Sequence, residues 1–373
     1  MNHIPQAAII GTGSMGRAHL QALKRLNIPV VGILASSPIK VKKFASEQAL
    51  PKVYNDLSDL LADASVDVVH ICTPNSTHYP MAKASLESGR HVIMEKPLTL
   101  NSTEALELFQ LAEKKKLVTV NNHNLRFFPF PLESRVRVQA GELGDVRLIQ
   151  GGYCQDWLFD PAGWNWRLLA EKGGLGRVIG DIGTHWYDMI TWVTGQEVVE
   201  LVADMANFIP TRINPVTGSP THVDTEDAAQ ILMRLSGGAM ANLTVSQINA
   251  GRKNHLWYEL SGSRQSLVWD YEAGNQLWIG QAKNSNQTVF IDHQNSLHES
   301  VEKIINYPGG LVDWYLDTFV ALYNQVYPAI SAGKLPDDSI VPTFKEGYRE
   351  MVWVDAVLQS IKEKSWVKLD FKI

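Results

Sequence analysis

The sequence predicts a two-domain α/β protein. An N-terminal Rossmann-type domain, a doubly wound parallel sheet, is followed by an α+β domain with a large, mainly antiparallel open sheet. Three observations carry this expectation. Apolar strands alternate with helical segments to about residue 122, as a parallel sheet covered on both faces requires. A glycine-rich turn, Gly11-Thr12-Gly13-Ser14-Met15-Gly16, separates the first strand from the first helix. Beyond residue 122 come short β-rich segments parted by turns such as Ser236-Gly237-Gly238 and Gly262-Ser263, the pattern of one antiparallel sheet. The domains are therefore expected over 1–122 and 123–373.

The first strand is the apolar run at 7–10, and 17–23 then has helical periodicity. Strand, Gly-x-Gly-x-x-Gly and helix in this order meet the requirements of a dinucleotide site. Gly11 allows the tight turn, Gly13 lets a pyrophosphate approach the backbone, and Gly16 lets helix and strand pack closely. The helix N-terminus offers unpaired N–H groups and partial positive charge to the phosphates. The second strand, 30–35, ends in Ser36-Ser37-Pro38 where an NAD site usually carries Asp or Glu for the ribose hydroxyls. Serine hydroxyls with Lys40 suit a 2′-phosphate, which favours NADP slightly over NAD. Lys40, Lys42 and Lys43 read equally well as the solvated face of the next helix.

Further units follow: a helix near 57–61, a strand at 66–72, a helix at 78–88, a strand at 91–94, a helix at 99–116 and a strand at 117–120. Thr73-Pro74-Asn75 and Glu95-Lys96-Pro97 each follow a strand, at the edge where open α/β sheets bind ligands. In the second domain, strands are expected near 146–153, 198–207, 229–235, 239–247, 255–261 and 266–271. Helices are expected near 131–140, 180–194, 311–331 and 343–362, with polar loops at 208–224 and 281–300. Asp181 and His185 are one turn apart on one helical face, and a carboxylate beside a histidine suits acid–base work. A capping Asp and a core His would read the same way. Asp188, one turn later, either orients His185 or is solvated.

The 373 residues are 45% hydrophobic and 20% charged with a net charge of -5, so a soluble globular protein is expected and a basic nucleic-acid binder is not. No stretch has the form of a signal peptide or a membrane helix. Two cysteines, Cys72 and Cys154, are too few for a zinc site and fit a cytoplasmic protein with free thiols. No metal is expected. Trp157, Trp164 and Trp166 form either plain core or the wall of a ring-binding pocket.

The glycine turn, Thr73-Pro74-Asn75, Glu95-Lys96-Pro97 and Asp181-x-x-x-His185, in this order and at these spacings, resemble the Gfo/Idh/MocA oxidoreductase family over essentially the whole chain. The resemblance implies an enzyme that moves a hydride between NAD(P) and a hydroxyl or carbonyl carbon of a sugar, sugar derivative or cyclitol. It implies Lys96 on the reacting hydroxyl, His185 as general acid/base and Asp181 as its positioning partner. The implied cofactor contacts are Gly11, Gly13, Ser14, Met15, Gly16, Ser36, Ser37, Lys40, Thr73, Pro74, Asn75, His78, Glu95, Lys96, Asn122, Trp166 and Arg167. The implied substrate contacts are Lys96, Asn124, Arg126, Asp156, Trp164, Asp181 and His185. Gln155-Asp156-Trp157 and Trp164-Asn165-Trp166 resemble the sugar-dehydrogenase branch. The family also implies a homodimer or homotetramer. A non-catalytic cofactor-binding regulator, an NAD-dependent redox glycosidase and a reductase of a non-sugar carbonyl are the competing readings.

Overall fold

The computed structural model describes residues 4–292, 298–307 and 311–373. The chain groups into two compact units, Met1–Asn124 with Trp314–Met351, and Leu125–Asp313 with Val352–Ile373.

In the first unit, β1 (Ala7–Ile10), β2 (Val30–Leu34), β3 (Val68–Ile71), β4 (His91–Met94) and β5 (Thr119–Asn121) form a parallel sheet in the order β2-β1-β3-β4-β5. The centre is buried on both faces, which is why β1 and β3 read as unbroken apolar runs, His70 excepted. The helices are α1 (Ser14–Arg25), α2 (Pro38–Gln48), α3 (Leu57–Ala62), α4 (His78–Glu87) and α5 (Ser102–Lys115). Side chains set several of their starts: Ser37, Asp56 and Asn101 each accept an N–H of the first turn. The strand order reverses between β1 and β3, so the loops after these two strands border the crevice where such sheets bind ligands.

The second unit contains α6 (Pro129–Gln139), β6 (Val146–Cys154), α7 (Ala170–Gly173), α8 (Thr184–Thr194), β7 (Val198–Ala206), β8 (Thr211–Ile213), β9 (Pro220–His222), β10 (Ala228–Leu235), β11 (Met240–Ser246), β12 (His255–Gly262), β13 (Gln265–Asp270), β14 (Gln276–Gln281), β15 (Gln287–Phe290) and α9 (Glu299–Glu302). Its nine-stranded sheet runs β15-β14-β13-β12-β6-β11-β10-β7-β16, with β16 at Val367–Lys368. Only the β6–β11 pair is parallel. β10 shows why one face is core: Ala229, Ile231, Met233 and Leu235 are buried, while Gln230, Leu232 and Arg234 are exposed.

The remaining helices are α10 (Tyr315–Ala332) and α11 (Phe344–Glu363). The sequence reading put everything after residue 122 in the second domain. Residues 314–351 instead group with the first unit, because the apolar face of α10 packs on α1. The loop expected at 208–224 contains the β8–β9 hairpin. It is anchored by Arg212, a buried guanidinium that donates to the carbonyls of Leu158 and Asp160. A sequence pattern treats such an arginine as surface. The loop expected at 281–300 holds β15, and its residues 293–297 lie outside the described residues, as do residues 1–3. Among the described residues no helix is long and apolar enough to cross a membrane.

Candidate active site

The glycine turn brings backbone against backbone at Gly11 and Gly16. Gly11 has φ of 117°, and a Cβ there would lie 2.4 Å from the Cys72 carbonyl oxygen. At Gly16 a Cβ would lie 2.2 Å from the Gly11 carbonyl oxygen, so helix and turn are in backbone contact. Gly13 differs: a Cβ there meets nothing within 4 Å. It is the N-cap of α1, no side chain caps the helix, and the first turn holds no acidic residue. The positive end of the α1 dipole thus carries no capping side chain and no acidic residue, with open space beside Gly13, which fits a bound pyrophosphate. Ser14 is exposed and Met15 half-buried, its sulfur 3.9 Å from the Tyr315 hydroxyl.

After β2, Ser37 spends its side chain as the N-cap of α2, accepting from the Lys40 N–H at 3.4 Å. Ser36 and Lys40 are exposed, and no acidic residue follows the strand. After β3, the Thr73 hydroxyl accepts from Thr77 at 2.7 Å, while Pro74 leads into a short turn that buries Asn75. His78 reaches both loops: its ring nitrogens lie 2.9 Å from the Pro97 carbonyl oxygen and 3.0 Å from that of Thr73. It staples the Thr73 loop to the Lys96 turn, where the peptide Lys96–Pro97 is cis.

Glu95 and Lys96 are both buried. The Glu95 carboxylate accepts from Asn122 Nδ2 at 2.7 Å and meets His19 Nε2 at 2.9 Å. Burial pushes its pKa up, but His19, Lys96 and Asn122 outweigh that and hold it below the ordinary value. Asn124 is also buried, donating to the Thr318 hydroxyl at 2.7 Å.

In the second unit a π-turn, Ile179–Gly183, runs directly into α8. The continuous α-helix expected over 180–194 therefore begins with a π segment, which carries Asp181, with His185 at the start of α8. Such segments are frequent at functional sites. Asp181 accepts from Gln247 Nε2 at 2.8 Å and pairs with Arg167 Nε at 3.0 Å. Arg167 also stacks 4.3 Å over the Trp166 ring. Glu226, buried in the core, anchors the approach to this turn by accepting the N–H groups of Arg177 at 3.0 Å and Ile179 at 3.1 Å. Burial lifts its pKa to about 7 against the pull of these N–H groups.

His185 is buried, with the ring of Tyr153 centred 6.0 Å away. Tyr153 donates to Asn254 Oδ1 at 2.6 Å. Burial and then the Asp181 charge drive its phenol far above the usual range. Sequence reasoning missed Tyr153, Gln247 and Glu226, because each lies in or beside a strand far from the His185 motif. Tyr153 is one of four consecutive buried residues at the end of β6, so the strand marks it only as core. Asp188 is not solvated: it binds Arg126 in a buried two-pronged pair, 2.8 Å from Nε and 2.5 Å from Nη2. Asp156 pairs with Lys253 at 2.6 Å, which lowers its pKa. Trp164 packs on Leu158, Leu168 and Val223. Among the described residues no group of three His, Cys, Asp or Glu side chains forms a metal site.

Two family models match the chain: an oxidoreductase family with an NAD-binding Rossmann fold over residues 6–123, and the GFO/IDH/MocA C-terminal domain over 132–268. The chain is 27% identical to levoglucosan dehydrogenase of Pseudarthrobacter phenanthrenivorans, over 96% of each chain. It is 25% identical to myo-inositol 2-dehydrogenase of Thermotoga maritima, over 62% of this chain and 65% of that one. Among solved structures it resembles levoglucosan dehydrogenase in complex with NADH and L-sorbose, with a TM-score of 0.90, 27% identity and coverage of 98% and 99%. An oxidoreductase domain protein from Kribbella flavida gives a TM-score of 0.91 at 27% identity over the whole of both chains.

Proposed function

Because this chain belongs to the Gfo/Idh/MocA family of NAD-binding oxidoreductases, we propose that it oxidises a secondary hydroxyl of a sugar, sugar derivative or cyclitol, or runs the reverse reduction. The observation that carries this reading is the π-turn, which sets the ion-paired Asp181 one turn before the buried His185. The glycine turn would hold the cofactor pyrophosphate at the N-terminus of α1. When bound, the nicotinamide supplies the hydride-accepting carbon. Lys96 hydrogen-bonds the reacting hydroxyl and stabilises the developing alkoxide. His185 takes the hydroxyl proton as the hydride leaves carbon, and Asp181 orients both histidine and substrate. The product is a ketone or lactone, with the proton on His185 and then in solvent. The Tyr153 ring, centred 6.0 Å from that of His185, would offer an aromatic surface to the sugar. The chain's full-length likeness to levoglucosan dehydrogenase supports a sugar as substrate.

A panel of anhydrosugars, aldoses and inositols, followed by nicotinamide absorbance at 340 nm, tests the reaction class. Reduced cofactor forming with at least one polyol is expected. Cleavage of glycosides with no net reduction would contradict the proposal. On cofactor choice, the absence of an acidic residue after β2 and the exposed Ser36 and Lys40 support NADP over NAD. Titration of tryptophan fluorescence decides this: NAD+ binding about tenfold tighter than NADP+, or about 1.4 kcal/mol, would overturn it. The solvated face of the nine-stranded sheet carries Leu148, Leu232 and Met240, with Met240 and Leu148 in direct register. This supports a homo-oligomer formed on that face, and a monomer by light scattering at micromolar concentration would rule it out.

A further inference from the structure

Inside the first unit, a string of buried polar groups crosses the core beside Lys96 and has no place in the reaction just described. His19 on α1 and His70 on β3 are both fully buried and meet Nδ1 to Nδ1 at 2.9 Å. His19 Nε2 lies 2.9 Å from Glu95 Oε1. His70 Nε2 lies 2.9 Å from the hydroxyl of Tyr327 on α10. The Tyr323 hydroxyl, one helical turn earlier, lies 2.9 Å from His19 Nδ1 and 3.3 Å from Asn122 Oδ1. Histidine in the centre of a parallel strand is expensive unless every nitrogen is satisfied, and here every nitrogen is.

One proton assignment carries a donor along each link from Tyr327 to an ionised Glu95, while the Tyr323 O–H donates to Asn122 Oδ1. Tyr327 O–H donates to His70 Nε2, His70 Nδ1–H donates to His19 Nδ1, and His19 Nε2–H donates to Glu95. In the opposite tautomer His19 would turn a lone pair on the carboxylate. The donors of these links thus point one way, towards the residue that precedes Lys96.

We propose that Tyr327, His70 and His19 form a positioning chain that fixes the His19 tautomer and so holds the Glu95 carboxylate ionised and oriented beside Lys96. The inference rests on the assignment of Lys96 to the reacting hydroxyl. None of the three touches substrate; they act through Glu95. The titratable groups around Glu95 are His19 from α1, Cys72 after β3, Lys96 itself and Tyr323 from α10. Cys72 and Tyr323 both have pKa values driven well up by burial and, further down, by the Glu95 charge, so neither offers a competing charge near neutral pH.

The test uses Tyr327→Phe, which deletes one hydroxyl at the far end of the chain and leaves its packing volume. Side-chain 15N NMR of the histidines reads the tautomers without any substrate. The chain predicts that His70 and His19 shift from single tautomers in the wild type to mixtures in the variant. It also predicts that the acid limb of kcat moves to higher pH, with about a tenfold loss near pH 6, the scale of one hydrogen bond to a buried charge, and KM changed less than about twofold. His70→Asn, which breaks the chain one link nearer, should move the limb at least as far. Unchanged tautomers and an unchanged acid limb in both variants overturn the proposal. If Lys96→Met stays active while the tautomers still shift in Tyr327→Phe, the chain exists and the role of Lys96 is what fails.

Discussion

Two glycines three residues apart should fail in opposite ways when each gains a methyl group. In Gly13→Ala the new Cβ projects into empty space, and the backbone at φ -70° and ψ -172° suits alanine. The stability cost is limited to the poorer N-cap, up to about 1 kcal/mol. The methyl does occupy the approach to the N–H groups of α1, so cofactor binding should weaken about tenfold or more, at least ~1.4 kcal/mol. In Gly16→Ala the Cβ would sit 2.2 Å from the Gly11 carbonyl oxygen, well inside any real contact. Backbone is what must move, so the cost belongs at the upper end of overpacking, about 3 kcal/mol. Urea unfolding and cofactor titration of the fluorescence of the eleven tryptophans separate the two effects. The variants being equally stable, or Gly13→Ala binding cofactor as tightly as the wild type, would refute the assignment of the turn.

Two further predictions concern the groups that hold the Asp181 turn. Glu226 has its pKa raised by burial from 4.5 to about 7, so the folded state binds the proton more tightly than the unfolded chain. Its contribution is full below pH 4.5 and is lost as pH rises through 7, by about 3 kcal/mol at most; Glu226→Gln should flatten that part of the stability curve, and an unchanged slope would contradict the shift. Gln247→Leu removes the 2.8 Å donor to Asp181 and leaves Arg167 in place; kcat/KM should fall about tenfold, the scale of a hydrogen bond to a charged group, and steady-state kinetics showing wild-type values would exclude Gln247 from positioning Asp181.

The parallel sheet and its glycine turn were legible because doubly buried strands write unbroken apolar runs and the phosphate turn needs glycine at fixed offsets. The antiparallel strands were legible where one face is core, as in β10. Illegible were the features set by buried charge. Arg212 anchors an unforeseen hairpin, Asp188 pairs with Arg126, and Glu226 holds the π-turn, and each contact joins residues far apart in sequence. The chain also returns to the first unit at Trp314, which no local pattern announces. His19 and His70 look like two histidines in ordinary elements until the fold stacks α1, β3 and α10.

The central claim is that Lys96 and His185 act on the reacting hydroxyl. It is tested most directly by single-turnover formation of reduced cofactor in Lys96→Met and His185→Ala, with cofactor affinity measured on the same samples. The account predicts a loss of about 10²-fold or more in the rate for each variant, with cofactor dissociation constants close to wild type. Turnover near the wild-type rate in either variant would contradict it.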